Sequence, residues 1–341
     1  MKSVKKKKIL ILGVNGFIGN SLARRIVLSN NAKVIGFDKN NNNIKDLINN
    51  KNFDFYKGDI FKEDKWILNS IKKCDIIIPL VAIATPKIYV KDPIKIFELD
   101  FESNLKIIRW VAKYNKRLIF PSTSEVYGMT KDKIFNEYST NLTVGPVIKS
   151  RWIYSISKQL LDRLIIAYGE KNNLKYTIFR PFNWIGPRLD SLKQAQLGNG
   201  RVISIYIHNI LNNKNLVIVG KGDQKRSFTF LDDGVSALIK IIIDKNNNLN
   251  KKIFNIGNPK NNISIKELAS ILVKKYNKFY PNKYNRKIIY KSQKEFYGEG
   301  YEDIPTRVPD IGEAKKYLNW EPKVNLSNSI TMTLQSFIYE K

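Results

Sequence analysis

A short apolar strand that runs straight into three spaced glycines constrains this chain more than any other feature. Lys8 to Leu12 is rich in Ile and Leu, Gly13-Val14-Asn15-Gly16-Phe17-Ile18-Gly19 follows, and an apolar-periodic segment continues through Leu28. The pattern predicts strand, glycine turn and helix. Glycine permits a tight turn and a close backbone approach, and the helix N-terminus behind it presents free N–H groups to a pyrophosphate. GxxGxxG is a variant of the GxGxxG dinucleotide fingerprint, and taken alone it reads equally as an ordinary turn. The next strand, Lys33 to Phe37, ends in Asp38, where a carboxylate accepts hydrogen bonds from an adenosine ribose and repels a 2′-phosphate. That favours NAD over NADP, with the adjacent Lys39 pulling the other way. Phe53 to Tyr56, followed by Gly58-Asp59-Ile60, reads as a third strand with a polar end suited to adenine. Strand, glycine turn, helix, strand and acid together predict an α/β fold with a doubly wound parallel sheet of the Rossmann type.

The remainder extends that sheet. Cys74 to Pro86 is an unbroken apolar run, as expected of one parallel strand covered on both faces. Ile94 to Tyr114 has helical periodicity. Arg117 to Phe120 is a strand running into Pro121-Ser122-Thr123-Ser124-Glu125-Val126-Tyr127-Gly128. Ligands of doubly wound sheets sit at the carboxyl ends of strands, so Thr123, Ser124 and Glu125 are site candidates; a Ser/Thr turn with an exposed Glu is the plain alternative. A helix over Trp152 to Tyr168 carries Tyr154 and Lys158 four residues apart, hence on one face. A cation beside a phenol favours phenolate, which would make Tyr154 acidic enough to take a proton from a hydroxyl. The same spacing also occurs on solvated helix faces.

After the strand Tyr176 to Pro181 and the polar stretch that includes Asn183, the alternation loosens. Helices over Val202 to Leu211, Asp233 to Ile243 and Ser264 to Tyr276, with strands at Leu216 to Val219 and Ile253 to Ile256, read as a smaller lobe closing a cleft. The division is residues 1–187, mainly nucleotide-binding, and 188–341, mainly substrate-binding, with exchange of a strand or helix between them left open. Gly220 to Arg226 reads as a mobile basic loop in which Lys225 and Arg226 suit a diphosphate, or as a solvated hairpin.

Composition narrows the chemistry. A chain of 341 residues with 43% hydrophobic residues, 17 Phe and 17 Tyr is no disordered polypeptide. Its single cysteine, Cys74, cannot form an internal disulfide, and its single histidine, His208, excludes a His-rich metal site; no metal is expected. Lys5 to Lys8 before Ile9 to Leu12 is too short for a signal peptide, and no stretch reaches membrane-spanning length, so a soluble cytoplasmic protein is expected. The net charge of +29 travels with asparagine and isoleucine throughout the chain. It reads as a solvated surface that attracts anionic substrates, without a stable nucleic-acid or membrane partner. A basic nucleic-acid-binding protein would instead show salt-sensitive retention of DNA. A cofactor-binding sensor without turnover would have no need of Tyr154, Lys158 and Glu125 together.

GxxGxxG, Thr123-Ser124-Glu125-Val126-Tyr127-Gly128 and Tyr154-xxx-Lys158 occur in the order and spacing of the extended short-chain dehydrogenases/reductases that act on sugar nucleotides. The chain resembles that family from Lys8 to about Phe337. Ile11 to Asn20, Pro79 to Pro86, Arg151 to Arg163 and Phe179 to Trp184 make it most similar to the branch that oxidises and decarboxylates UDP-glucuronate on the way to aminoarabinose-modified lipid A. The resemblance implies that Asp38, Asp59 and Ile60 hold NAD with the glycine turn. It implies that Ala84, Tyr89, Thr123, Ser124, Arg151, Asn183, the loop to Arg226 and Tyr301 meet the UDP-sugar, and that Glu125 and Arg307 are the acid/base pair of the decarboxylase. A homodimer is implied as well. Bifunctional members carry an N-terminal formyltransferase domain; this sequence starts at the first strand, so formylation is expected of a separate partner if at all. Among related activities, a 4,6-dehydratase would place an acid where Ser124 stands, and a 4-epimerase has no need of a Glu–Arg pair. A UDP-xylose synthase, which re-reduces the ketone in place, stays open.

Overall fold

The computed structural model describes residues 6–30, 32–244 and 246–339. Seven parallel strands form the central sheet: β1 (Lys7–Leu12), β2 (Ala32–Asp38), β3 (Phe53–Lys57), β4 (Ile76–Pro79), β5 (Arg117–Pro121), β6 (Lys175–Pro181) and β7 (Lys252–Ile256). Their order is β7-β6-β5-β4-β1-β2-β3, with the chain reversing direction between β1 and β4. Leu12 is level with Phe37 on one side and Pro79 on the other, so the carboxyl ends of the central strands share one rim. A doubly wound sheet binds its ligands at such a switch point.

Side chains alternate across a strand, and helices cover both faces, which is why these strands read as continuous apolar runs. Ile9, Ile11, Val34, Ile76, Ile78 and Ile119 pack under the Phe17–Leu28 and Leu231–Ile242 helices. Leu10, Leu12, Ile77, Leu118 and Phe120 pack under the Asp64–Lys73, Ser103–Lys113 and Trp152–Lys171 helices. A third core lies in the smaller lobe, where the Val202–Leu211, Ile265–Phe279 and Leu326–Tyr339 helices enclose Ile207, Leu216, Ile218, Leu272 and Leu334. Ser264 starts the second of these with a reciprocal capping box to Glu267.

Five expectations change. The run Cys74 to Pro86 is a strand only over Ile76–Pro79: Pro79 has no N–H for the ladder, and Pro86 opens a short helix, Pro86–Lys91. The run Ile94 to Tyr114 is helical but widens into a π turn at Phe97–Glu102. The segment Gly220 to Arg226 is a loop only in part, since Lys225–Ser227 is a strand antiparallel to Asn262–Ser264. Ile253 to Ile256 lies in the central sheet as part of β7, beside β6, and not in the smaller lobe. The Leu231–Ile242 helix likewise returns to pack on Phe17–Leu28. Among the described residues no helix is long and apolar enough to cross a membrane.

Leu238, fully buried between that returning helix and the sheet, tests this arrangement. Leu238→Ala should cost about 2–5 kcal/mol, read as a lower urea midpoint, whereas Leu28→Ala at a position 76% exposed should leave the midpoint within error.

Candidate active site

The glycine turn is built by close contact. Gly13 takes φ +88°, and a Cβ on Gly19 would lie 2.3 Å from the Gly13 carbonyl oxygen, so the helix can start against the end of β1 only without a side chain there. Gly16 caps Phe17–Leu28 with no side-chain hydrogen bond. Gly13, Gly16, Phe17, Ile18 and Gly19 line one end of a cavity of ≈ 590 Å³. An uncapped helix start facing a cavity fits a pyrophosphate. At the end of β2, Asp38 Oδ2 accepts the Asn15 N–H at 2.9 Å, which fixes a carboxylate beside the turn. Burial raises its pKa, opposed by the N–H groups of Asn15 and Asn40. Lys39, the residue that weighed toward a 2′-phosphate, pairs instead with Asp59 at 3.0 Å. Ile60 is buried beside it, and the Asp59 carboxylate also accepts the Phe61 N–H at 3.1 Å. A carboxylate held beside an open helix start is chemistry that suits a dinucleotide.

Farther along the cavity, Ala84, Tyr89, Thr123, Ser124, Glu125, Tyr154, Lys158 and Asn183 come together in its walls. Tyr89 stacks on Tyr154 with centroids 4.7 Å apart and planes 10° apart, which fixes the phenol's plane. Asn183 holds the left-handed φ of 40° and accepts the Thr229 N–H at 3.3 Å. Thr123 accepts the Glu125 N–H at 3.2 Å and so starts the tight turn Ser124–Tyr127 that points Glu125 inward.

The phenol is not lowered by Lys158 in the way its spacing suggests. Burial, then the charges of Asp100 and Glu125, hold Tyr154 above the ordinary phenol value, opposed by the nearby Thr123 hydroxyl. The Lys158 ammonium lies 3.7 Å from Asp100 and 5.1 Å from the Phe120 ring centroid. Its charge is therefore already answered by a carboxylate that the sequence reading left out.

Beside Tyr154 lies a buried charge cluster. Glu125 meets Arg151 and Arg307 at 3.2 Å each, and Arg226 holds Asp303 at 2.5 Å. Three guanidinium groups face two carboxylates, leaving an excess of one positive charge. Among the described residues, Arg151 Nε and Nη2 and Arg307 Nε have no hydrogen-bond partner. Burial pushes the Glu125 carboxyl up, and Arg151, Arg307 and Arg226 outweigh it, leaving it below its usual value. Burial and the neighbouring Arg226 lower the pKa of Arg307. Tyr301 is buried under the Arg151 guanidinium, 5.8 Å from its ring centroid, and stacks on Tyr297 at 4.0 Å. Such a cluster can receive an anion without paying to strip it of compensation.

Arg226 lines the cavity, but Lys225 does not: it is exposed, because neighbours in a strand point to opposite sides. Its assignment to the substrate site is corrected on that ground. Asp38, Asp59 and Ile60 stand outside the main cavity walls, at the open ends of β2 and β3. Asp100 and Asp303 were missed as charge partners. Asp100 recurs with Ser103 and Asn104 at core spacing in an apolar-periodic helix, which is a signal readable in the sequence.

Residues 9–257 match the NAD dependent epimerase/dehydratase family. Over 99% of its length the chain is 52% identical to the bifunctional polymyxin resistance protein ArnA of Wigglesworthia glossinidia brevipalpis, and it spans 52% of that relative. The crystal structure of the PbgP3 protein from Burkholderia pseudomallei superposes with TM-score 0.89 at 43% identity, covering 98% of this chain and 96% of that one. A UDP-glucuronic acid 4-epimerase from Bacillus cereus, solved with UDP-glucuronic acid and NAD, shares the fold at TM-score 0.80 and 23% identity, covering 98% of this chain and 100% of that one. With a match over most of its length, and with an acid-ended second strand and a glycine turn that fit the cofactor, the chain belongs to the NAD dependent epimerase/dehydratase family.

Proposed function

We propose that this protein oxidises UDP-glucuronate at C4 with NAD and then decarboxylates it to a UDP-4-keto-pentose. The observation that carries the reading is the buried cluster in which Glu125, Arg307, Arg226 and Asp303 line the cavity beside Tyr154, with the fully buried Arg151 completing it from behind the wall and leaving one positive charge in excess. A sugar that bears a carboxylate answers that charge on the Arg307 side, beside Tyr154, leaving Arg226 to the diphosphate that every UDP-sugar brings. The ArnA and PbgP3 relatives support the same branch, and with it a place on the way to aminoarabinose-modified lipid A.

The residues divide the work. The glycine turn and Asp38 would hold NAD, which accepts the hydride and brings a cationic ring that favours phenolate. Thr123 orients the Tyr154 phenol and, with Ser124, steadies the C4 oxygen. Tyr154 takes the hydroxyl proton as the C4–H bond gives up its hydride, forming the ketone. The C5 carboxylate is then β to a carbonyl. Its C–C bond breaks, the electron pair moves into the ketone as an enolate, and carbon dioxide leaves. Arg307 holds the carboxylate before it leaves, with Arg151 adding its charge from behind Glu125, and Arg307, its proton affinity reduced by burial, assists protonation at C5. Glu125, kept ionised by the arginines, takes up and returns protons on the same wall. UDP contacts fall to Asn183, Arg226 and Tyr301.

Incubation with UDP-glucuronate and excess NAD should give stoichiometric NADH, carbon dioxide and a UDP-4-keto-pentose by mass. Carbon dioxide with no net NADH and UDP-xylose as product would replace this reading by the in-place reductase, and no carbon dioxide at all would end both. Tyr154→Phe should lower NADH formation by about 10²–10⁴-fold with melting temperature unchanged. Arg307→Ala should retain NAD binding, measured by calorimetry, while carbon dioxide release falls by at least about 100-fold; release at the wild-type rate removes Arg307 from the mechanism.

A further inference from the structure

We propose that Asn255 is the positioning residue for the Glu125–Arg307 pair: its side-chain amide ties the turn that carries the carboxylate to the bridge that holds the guanidinium. The inference rests on the reading that this pair works in the decarboxylation step.

Two distant segments must be set against each other here, since Glu125 and Arg307 are 182 residues apart in the chain and meet at 3.2 Å. Glu125 is fixed by the turn Ser124–Tyr127. Arg307 has no such element: from Tyr301 to Val308 the chain forms neither helix nor strand. Its side chain does not anchor itself either. Among the described residues the Arg307 guanidinium donates only to Glu125, and its Nε has no partner. Its place is therefore set by the backbone on either side. Before it, the Lys225 N–H donates to Pro305 O at 2.8 Å. After it, a single bridge forms with Phe135, whose N–H donates to Val308 O and whose carbonyl accepts the Asp310 N–H, both at 2.8 Å.

Asn255, fully buried on β7, joins that bridge to the turn. Its Nδ2 donates to the same Phe135 carbonyl at 2.8 Å, and its Oδ1 accepts the Tyr127 hydroxyl at 2.7 Å. Tyr127 is the last residue of the Glu125 turn, and its ring packs on that of Phe135 with centroids 4.7 Å apart. The amide has a firm base: the Asn255 N–H donates to Glu137 Oε1 at 2.6 Å, and its strand lies in the sheet beside β6. A buried amide with both its oxygen and its nitrogen engaged fixes one arrangement, where apolar rings alone would tolerate several. The next glycine acts on the same segment. A Cβ on Gly257 would lie 2.7 Å from Pro309 Cγ and 2.8 Å from Phe182 Cβ, so Pro309 seats against the end of β7 only without a side chain there. β7 thus supports the acid/base pair at two points, from outside the cavity wall.

The test uses the full chain. Asn255→Leu keeps the volume and leaves the Phe135 carbonyl with Asp310 and the Tyr127 hydroxyl with Arg180, so it removes the tie and little else. With UDP-glucuronate and NAD, its carbon dioxide release should fall by about 10–100-fold while NAD binding, by calorimetry, stays as in wild type. The loss should vanish once Arg307 is gone: Asn255→Leu with Arg307→Ala should release carbon dioxide no more slowly than Arg307→Ala alone. A merely structural role would slow both backgrounds by the same factor, and that result overturns the assignment. A crystal structure of Asn255→Leu needs no substrate. In it the Glu125–Arg307 contact should open beyond about 4 Å with Thr123 and Tyr154 in place; a contact kept at 3.2 Å overturns the assignment. If the contact opens but wild-type protein does not turn over UDP-glucuronate, the proposed function fails and the positioning role stands. Should Asn255→Leu not fold, Asn255→Asp, which keeps the acceptor for Tyr127 and loses the donor to Phe135, is read by the same measurements with the same results deciding.

Discussion

Everything at the site depends on how closely the Phe17–Leu28 helix approaches the end of β1. A side chain at Gly19 would collide with the Gly13 carbonyl, and the helix would have to withdraw. Its first-turn amides would then leave the cavity, and the register between the pyrophosphate end and the Tyr154 end would be lost. Fixing glycine costs more conformational entropy than fixing other residues, which the packing of Leu22, Ala23, Ile26 and Val27 against the sheet offsets.

The cavity then sets burial against charge. Tyr154, Lys158, Glu125 and Arg307 are all removed from water, and each would drift toward its neutral form if left alone. The structure answers locally: Asp100 for Lys158, Arg151 and Arg307 for Glu125, Asp303 for Arg226. Only the arginine cluster is left over-compensated. The phenol is the group the protein does not lower, because burial first and then the charges of Asp100 and Glu125 raise it.

The sheet was legible in the sequence because its signals are local: apolar runs of strand length, glycines at a turn, an acid at the next strand end. Thr123, Ser124, Glu125, Tyr154 and Lys158 were legible as candidates because strand ends and a shared helix face collect side chains predictably. Which of two adjacent basic residues faces the cavity was not, since Lys225 and Arg226 are told apart only by strand alternation, and the segment reads as a loop. The direction of the Tyr154 shift was not either, because it follows from the depth of burial and from Asp100, far away along the chain. The pairing of Glu125 with Arg307 came from family resemblance; no spacing rule joins residues so distant. Which strand is exchanged between the two parts, β7, was not legible, because a short strand carries no mark of the sheet it will join.

That return of the chain has a consequence for how the molecule is made. β6 is complete long before Lys252–Ile256 exists, and between them the chain builds much of the smaller lobe. During synthesis from the N-terminus the sheet therefore carries an open, apolar edge until β7 emerges, and such an edge is where two nascent chains pair wrongly. The two lobes cannot mature one after the other. The nucleotide-binding sheet closes only when most of the substrate side has already been synthesised, so the cleft and the fold reach completion together.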